Sequence, residues 1–157
     1  MKARMTVLTV ALCLVAGAIC FASDAATANM GTWKLNESNS KSAPGATKNH
    51  TVVYESVGDM VKVTVDGTTS DGKPVHTEWT GKFDGKDYAV TGDPNSDMRS
   101  YKQIDNYTLQ LTSKNGGHVV ATGRIVVSSD GKTRTVSITQ VDSKGMTTKN
   151  TAVYDKQ

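Results

Sequence analysis

The stretch "GTWKLNESNSK", Gly31–Lys41, decides how the rest of the chain is read. It opens with a glycine, places a tryptophan two residues on, and begins an apolar/polar alternation of the kind a half-buried strand shows. It also stands just after a segment built like an export signal. Lys2 and Arg4 form a basic start, Met5 to Phe21 carries no charge, and the small residues of "ASDAATANM" follow. The expected arrangement is therefore a signal peptide over residues 1–25, with cleavage after Ala25 or as late as Ala28, and one β-barrel domain over residues 29–157. The mature protein is expected outside the cytoplasm, periplasmic or extracellular, with no transmembrane segment. The minor alternative is a lipoprotein anchored through Cys20, although the bulky Ile19 before it suits such processing poorly.

Both cysteines, Cys13 and Cys20, fall inside the leader. A mature chain then has neither disulfide nor thiolate chemistry. The formal charge of the whole chain is +3, and removing Lys2, Arg4 and Asp24 takes it to +2. So balanced a charge argues against nucleic acid and against a polybasic membrane contact.

Beyond Gly31 the pattern is β throughout. Runs of Val, Thr, Tyr and Ile predict strands near Gly31–Leu35, His50–Val57, Val61–Val65, Val75–Thr80, Tyr88–Val90, Arg99–Ile104, Tyr107–Thr112, Val119–Val127, Thr133–Val141 and Thr147–Tyr154. Between them stand Asp-Gly and Gly-Gly pairs that suit tight hairpins. The tetrads at Ser70–Lys73, Phe83–Lys86 and Ser129–Lys132 are recurrent turn chemistry, since their flanks do not match at a fixed period. Val61, Val63 and Val65 share one face. Tyr107, Leu109 and Leu111 share another, as do Val136 and Ile138. One apolar face per strand marks an antiparallel sheet. No stretch after the leader carries a helical stripe, so no helix is expected. The only long connection runs from Asn36 to Lys48. Consecutive hairpins form a meander, and closure hides its edges best. The expected fold is all-β, an antiparallel up-and-down barrel of eight to ten strands, with a sandwich as the other solution.

The two ends of the chain carry a resemblance. Gly31-Thr32-Trp33 resembles the Gly-x-Trp of the calycin superfamily, the lipocalins and fatty-acid-binding proteins. "NTAVYDK", Asn150–Lys156, resembles the last strand of the fatty-acid-binding proteins. The resemblance implies a lipocalin-like barrel with Trp33 plugging its closed end and Gly31 easing the approach of the entering chain. It is similar most of all to small exported bacterial proteins of unknown role. Three departures qualify it. "NESNSKSAPGATK" is no helical lid. Ala152 stands where the fatty-acid-binding proteins have an arginine for a carboxylate. The cation that lipocalins lay across the tryptophan has three candidates here, Arg124, Arg134 and Lys149.

Sites for chemistry are few. His50, His76 and His118 lack the spacing of metal ligands, and no metal or cofactor is expected. Asp93, Asn95 and Asp97 sit at calcium-loop offsets, but Met98 and Ile104 occupy the places of the loop glycine and the distal glutamate, so the reading is an Asx-rich turn. No nucleophile elbow and no recognisable carboxylate pair is present, and no enzymatic activity is expected. Asn36, Asn49 and Asn106 begin glycosylation sequons, which matter only in a eukaryotic secretory host.

Inward aromatic residues of a barrel either fill the core or line a pocket. The pocket reading selects Trp79, Tyr88, Tyr101, Arg124 and Tyr154, with Gly31 and Trp33 structural. The expected function is an exported binding barrel for a small apolar or amphipathic molecule. The alternative is an envelope or extracellular interaction scaffold with a solid core. An internal ligand is expected to be neutral or only weakly held through charge, not a long-chain fatty acid gripped by its carboxylate, because Ala152 stands where an arginine would accompany Tyr154; Arg99 or Arg124 would change this if either pointed inward.

Overall fold

The computed structural model describes residues 25–141 and 145–157. The expected export signal, with Cys13 and Cys20, thus lies almost wholly outside the described residues. Ten strands follow in order: β1 Gly31–Lys41, β2 Lys48–Val57, β3 Met60–Thr68, β4 Pro74–Gly81, β5 Tyr88–Thr91, β6 Met98–Gln103, β7 Thr108–Asn115, β8 His118–Val127, β9 Thr133–Val141 and β10 Thr147–Lys156. Each pairs antiparallel with its sequence neighbours, and β1 pairs with β10 to close the barrel. Every strand therefore has two partners and no edge is left open.

Closure rests on a short seam. Trp33 pairs with Lys156, Leu35 with Tyr154 and Asn36 with Val153. On its other side Trp33 pairs with Val52 of β2. The end of the barrel where β1 begins and β10 finishes is called the lower end here. Buried residues of alternating strands converge on it, among them Trp33, Tyr54, Val63, Trp79, Tyr101, Leu109, Val127 and Tyr154. Trp33 is fully buried at the closed end and against the last strand, as its place in the sequence implies.

Three local expectations need correction. β1 runs on to Lys41, well past Leu35, so the long connection is much shorter than Asn36–Lys48. Its register slips between Asn36 and Lys41. Side chains hold the bulge: Ser38 Oγ donates to Asn36 Oδ1 at 2.7 Å, and Val153 N donates to Ser40 Oγ at 2.9 Å. A serine-rich stretch lacks apolar alternation, but its hydroxyls replace the missing ladder bonds. The second correction is a short helix, α1, over Ala25–Asn29. One turn is too short to show periodicity. It is pinned by Trp33, whose Nε1 donates to the Asn29 carbonyl at 2.8 Å, and it buries Ala28 and Asn29. Third, β7 begins at Thr108 and leaves Tyr107 exposed in the turn before it.

Two glycines show different constraints. Gly31 has a φ of 101°, a region other residues avoid, while a Cβ there would make only an ordinary contact with Lys156. Its role is backbone conformation more than close approach. Gly81 is a matter of space. A Cβ there would stand 2.6 Å from Trp79 Cζ2 and 2.6 Å from Tyr88 Cγ. Gly81→Ala must push two packed rings apart, and urea denaturation is expected to show a loss of about 1–3 kcal/mol. Gly31→Ala is expected to cost about 1–2 kcal/mol in the same measurement, through φ alone.

Candidate functional site

The lower interior contains two aromatic groups joined by Tyr54. In the first, Trp79 meets Tyr101 edge-on at 4.7 Å between centroids, meets Tyr88 edge-on at 5.7 Å and stacks on Phe83 at 6.2 Å. Register explains the gathering. Trp79 of β4 lies between Val63 and Val90, and the loop after Gly81 folds Phe83 back under the barrel. Trp79 Nε1 donates to the Arg99 carbonyl at 2.9 Å, so the indole is buried with its polar atom satisfied. Phe83 then meets Tyr54 at 6.4 Å.

The second group surrounds Arg134. Its guanidinium lies 4.8 Å from the ring centroid of Tyr154, 5.0 Å from Tyr54 and 5.5 Å from Trp33. Arg134 is 2% exposed. It faces inward because it alternates with Val136 and stands opposite Tyr154 in register. Lys156 covers Trp33 at 5.1 Å. Arg134 is thus the choice among the three candidates for the cation across Trp33; Arg124 and Lys149 are exposed. No carboxylate pairs with Arg134 among the described residues, and its Nε and Nη1 have no hydrogen-bond partner. Burial pushes the Tyr54 phenol up, with Arg134 opposing, and does the same to Tyr154. Both phenols stay neutral and the arginine is held by ring faces.

These positions revise the pocket reading. Trp79, Tyr101 and Tyr154 are buried to 3% exposure or less and fill the core. Tyr88 is half-buried at its margin and donates to Asp84 Oδ2 at 3.1 Å. Arg124 is exposed on the outer face of β8, between the buried Ile125 and the inward Gly123, so it cannot meet an internal ligand. The missing cation near Tyr154 does exist, but it comes from β9 as Arg134 and lies beneath three rings. Arg99 points inward with Tyr101, yet it is engaged: Nη2 meets Asp93 Oδ2 at 2.7 Å and Nε donates to Ser113 Oγ at 3.2 Å. Asp93 also accepts from Asn95 N and Ser96 Oγ, which makes "DPNSD" an Asx turn built around an arginine. Sequence reading passed over Tyr54 and Phe83; their alternation with buried neighbours was the available signal for Tyr54, whereas Phe83 sits in a loop.

Above this floor the inner wall changes character. Leu35, Ile138 and Ala152 face inward but are only half-buried. Polar groups stand over them: Asn150 Nδ2 donates to Gln140 Oε1 at 3.3 Å, and Ala43 N donates to Asn150 Oδ1 at 2.7 Å. Two hollows lie elsewhere. One of about 490 Å³ lies over the outer face of β7–β10 and includes Arg124 and Lys149. Another, of about 440 Å³, separates the β1–β2 loop from the β3–β4 turn. Among the described residues no group of three or more His, Cys, Asp or Glu is placed to hold a metal ion.

Comparison with known proteins adds fold likeness only. No family model and no curated protein matches the chain. Among solved structures it is similar to a redesigned β-barrel, mFAP1, bound to DFHBI, at 21% identity over 85% of this chain and 100% of that one, with a TM-score of 0.46. It is also similar to EF1p2_mFAP2b bound to DFHBI, at 16% identity over 86% and 98% of the two chains, with a TM-score of 0.49. A de novo designed fluorescence-activating β-barrel is 18% identical over 85% and 98%, with a TM-score of 0.43. Nothing about a ligand of this chain follows from such distant likenesses.

Arg134 supplies a test of the floor. Two guanidinium nitrogens without partners cost about 1–3 kcal/mol each, and three ring contacts return about 0.5–2 kcal/mol each. The balance is near zero. Arg134→Met keeps most of the volume and is expected to change stability by less than about 1.5 kcal/mol, whereas Arg134→Ala leaves a cavity and is expected to lose about 3 kcal/mol. Parallel urea titrations of the two variants check this.

Proposed function

We propose that the chain is an exported, non-catalytic binding barrel of calycin type that takes a small amphipathic molecule in its upper half, above the aromatic floor. The observation that carries this reading is the half-buried inner wall of Leu35, Ile138 and Ala152, with Gln140 and Asn150 beside it. A filled barrel buries such residues; here they stand half-buried above the core, and no helix follows β1 to cover them. An apolar wall with a few polar groups is what small-molecule sites offer. The role of Gly31 and Trp33 at the closed end, and Arg134 across the tryptophan, supports the calycin assignment. Export rests on the composition of the leader.

The ligand is neutral in its head group. The inward cations are engaged, Arg99 by Asp93 and Arg134 by its rings, so a carboxylate gains no free partner. Oleyl alcohol and oleate are therefore expected to bind within about tenfold of each other, since no strong ion pair separates them. Ala152→Phe adds bulk to the half-buried inner wall and is expected to weaken both by about tenfold or more with the far-ultraviolet spectrum kept. A strong preference for oleate, or binding unaffected by Ala152→Phe, would count against the upper-half site. N-terminal sequencing of the protein recovered from its own host is expected to start at Ala26 or Asn29. Recovery of Met1, or of a lipidated Cys20, would refute export by simple cleavage.

The solid floor and the outer hollows favour a second reading, an interaction scaffold whose working surface is the outside of the sheet.

A further inference from the structure

Charge is distributed unevenly over this barrel. Strands β7, β8 and β9 contain no Asp or Glu, and β10 contains only Asp155 near its lower end. Among the described residues, every pair of Lys or Arg with a carboxylate within 4.0 Å lies between residues 37 and 114, from Glu37–Lys48 to Asp87–Lys114. Among the described residues, neither Arg124 nor Lys149 has such a partner. Arg124 acts on Asp105, whose carboxyl is held below the usual range chiefly by the Tyr107 backbone N–H, with Arg124 a minor contributor.

The hollow of about 490 Å³ over β7–β10 has no Asp or Glu among its lining residues. Register sets its rows. Gln110, Arg124, Ser137 and Thr151 stand side by side on β7, β8, β9 and β10. Thr122, Thr139 and Lys149 form the next row. The first row continues to exposed Lys102 on β6 and exposed Lys41 on β1. The strands are about 4.8 Å apart, so the row from Lys102 to Lys41 follows the curve of the barrel for roughly 24 Å. Hydroxyl and amide groups thus alternate with cations along a path that crosses the strands.

We propose that this face binds an acidic polysaccharide, a chain that repeats carboxylates and hydroxyls. The cations meet the carboxylates. The Ser, Thr and Gln groups both donate and accept, as a polyhydroxylated chain requires. Nucleic acid is a poorer fit, because the hollow offers no aromatic platform on which bases stack. The site lies on the opposite side of the sheet from the upper inner wall and does not depend on a ligand there.

The test titrates the folded protein with a hexamer of galacturonate, a hexamer of galactose and a six-base single-stranded oligothymidylate. The galacturonate hexamer is expected to bind at low salt and to be released by about 0.5 M salt, where screening shortens to a few ångströms. The galactose hexamer and the oligothymidylate are expected to bind about tenfold more weakly or not at all. Arg124→Gln with Lys149→Gln, both exposed, is expected to lower galacturonate affinity about tenfold with an unchanged unfolding midpoint. Equal binding of galactose, tighter binding of the oligothymidylate, indifference to the double substitution, or no galacturonate binding at millimolar concentration would each overturn the proposal.

Discussion

The guanidinium of Arg134 sits among Trp33, Tyr54 and Tyr154, and the lower barrel is organised around that contact. The three rings come from β1, β2 and β10, while the arginine comes from β9. A single side chain therefore touches both strands of the closing seam and their outer neighbours. Because no carboxylate shares the space, the charge is accommodated by ring faces, and the phenols beside it are held neutral by burial. Trp33 is fixed from a second direction by Asn29 and covered from a third by Lys156. Shape, more than net energy, explains a buried arginine here: it is long enough to span the floor and flat enough to pack between rings.

Much of this was legible in the sequence, for reasons that can be named. The hairpin turns and the valine alternation at Val61, Val63 and Val65 depend on neighbours a few residues away, and the strands they imply are present. Trp33 was legible because a large apolar residue beside a glycine, heading a strand, has few places to go. The sequence leaves the choice among Arg134, Arg124 and Lys149 open, although Arg134 shares the alternate positions of Val136 and Ile138, the apolar face of β9; its contact with Trp33 depends on pairing across the barrel, which local sequence does not contain. The bulge of β1 escaped for a different reason: its order comes from serine and asparagine side chains answering backbone groups of β10, a polar signal that reads as loop. Whether the inward aromatics fill a core or line a pocket was not legible, because both share one pattern; Trp79, Tyr101 and Tyr154 are buried, while Tyr88 stands at the margin.

Above the floor the two surfaces of the sheet follow different rules. Inside, residues grow less buried from Tyr154 to Ala152 and Asn150 along one strand. Outside, the same strand contributes Lys149 and Thr151 to a hollow whose lining residues include no carboxylate. The alternation of a strand thus lets β10 serve the core, an inner wall and an outer hollow within a few residues. Neither surface constrains the other, since each is set by its own set of alternate positions.

The seam between β1 and β10 also governs how the chain reaches this state. Beyond their pairing with β2, residues 33–36 find their second partners at residues 153–156, almost the full length of the domain away. The strand made first is therefore completed last. Until β10 arrives, the growing sheet has two unpaired edges, one of them carrying Trp33, and both can recruit another copy of the chain. Closure of so long a loop is slow relative to the hairpins between, which form from adjacent segments. Loss of the final strand would thus do more than remove a tenth of the sheet: it would leave a curved, permanently open ribbon with its largest aromatic plug facing solvent, a species that assembles with itself in place of folding.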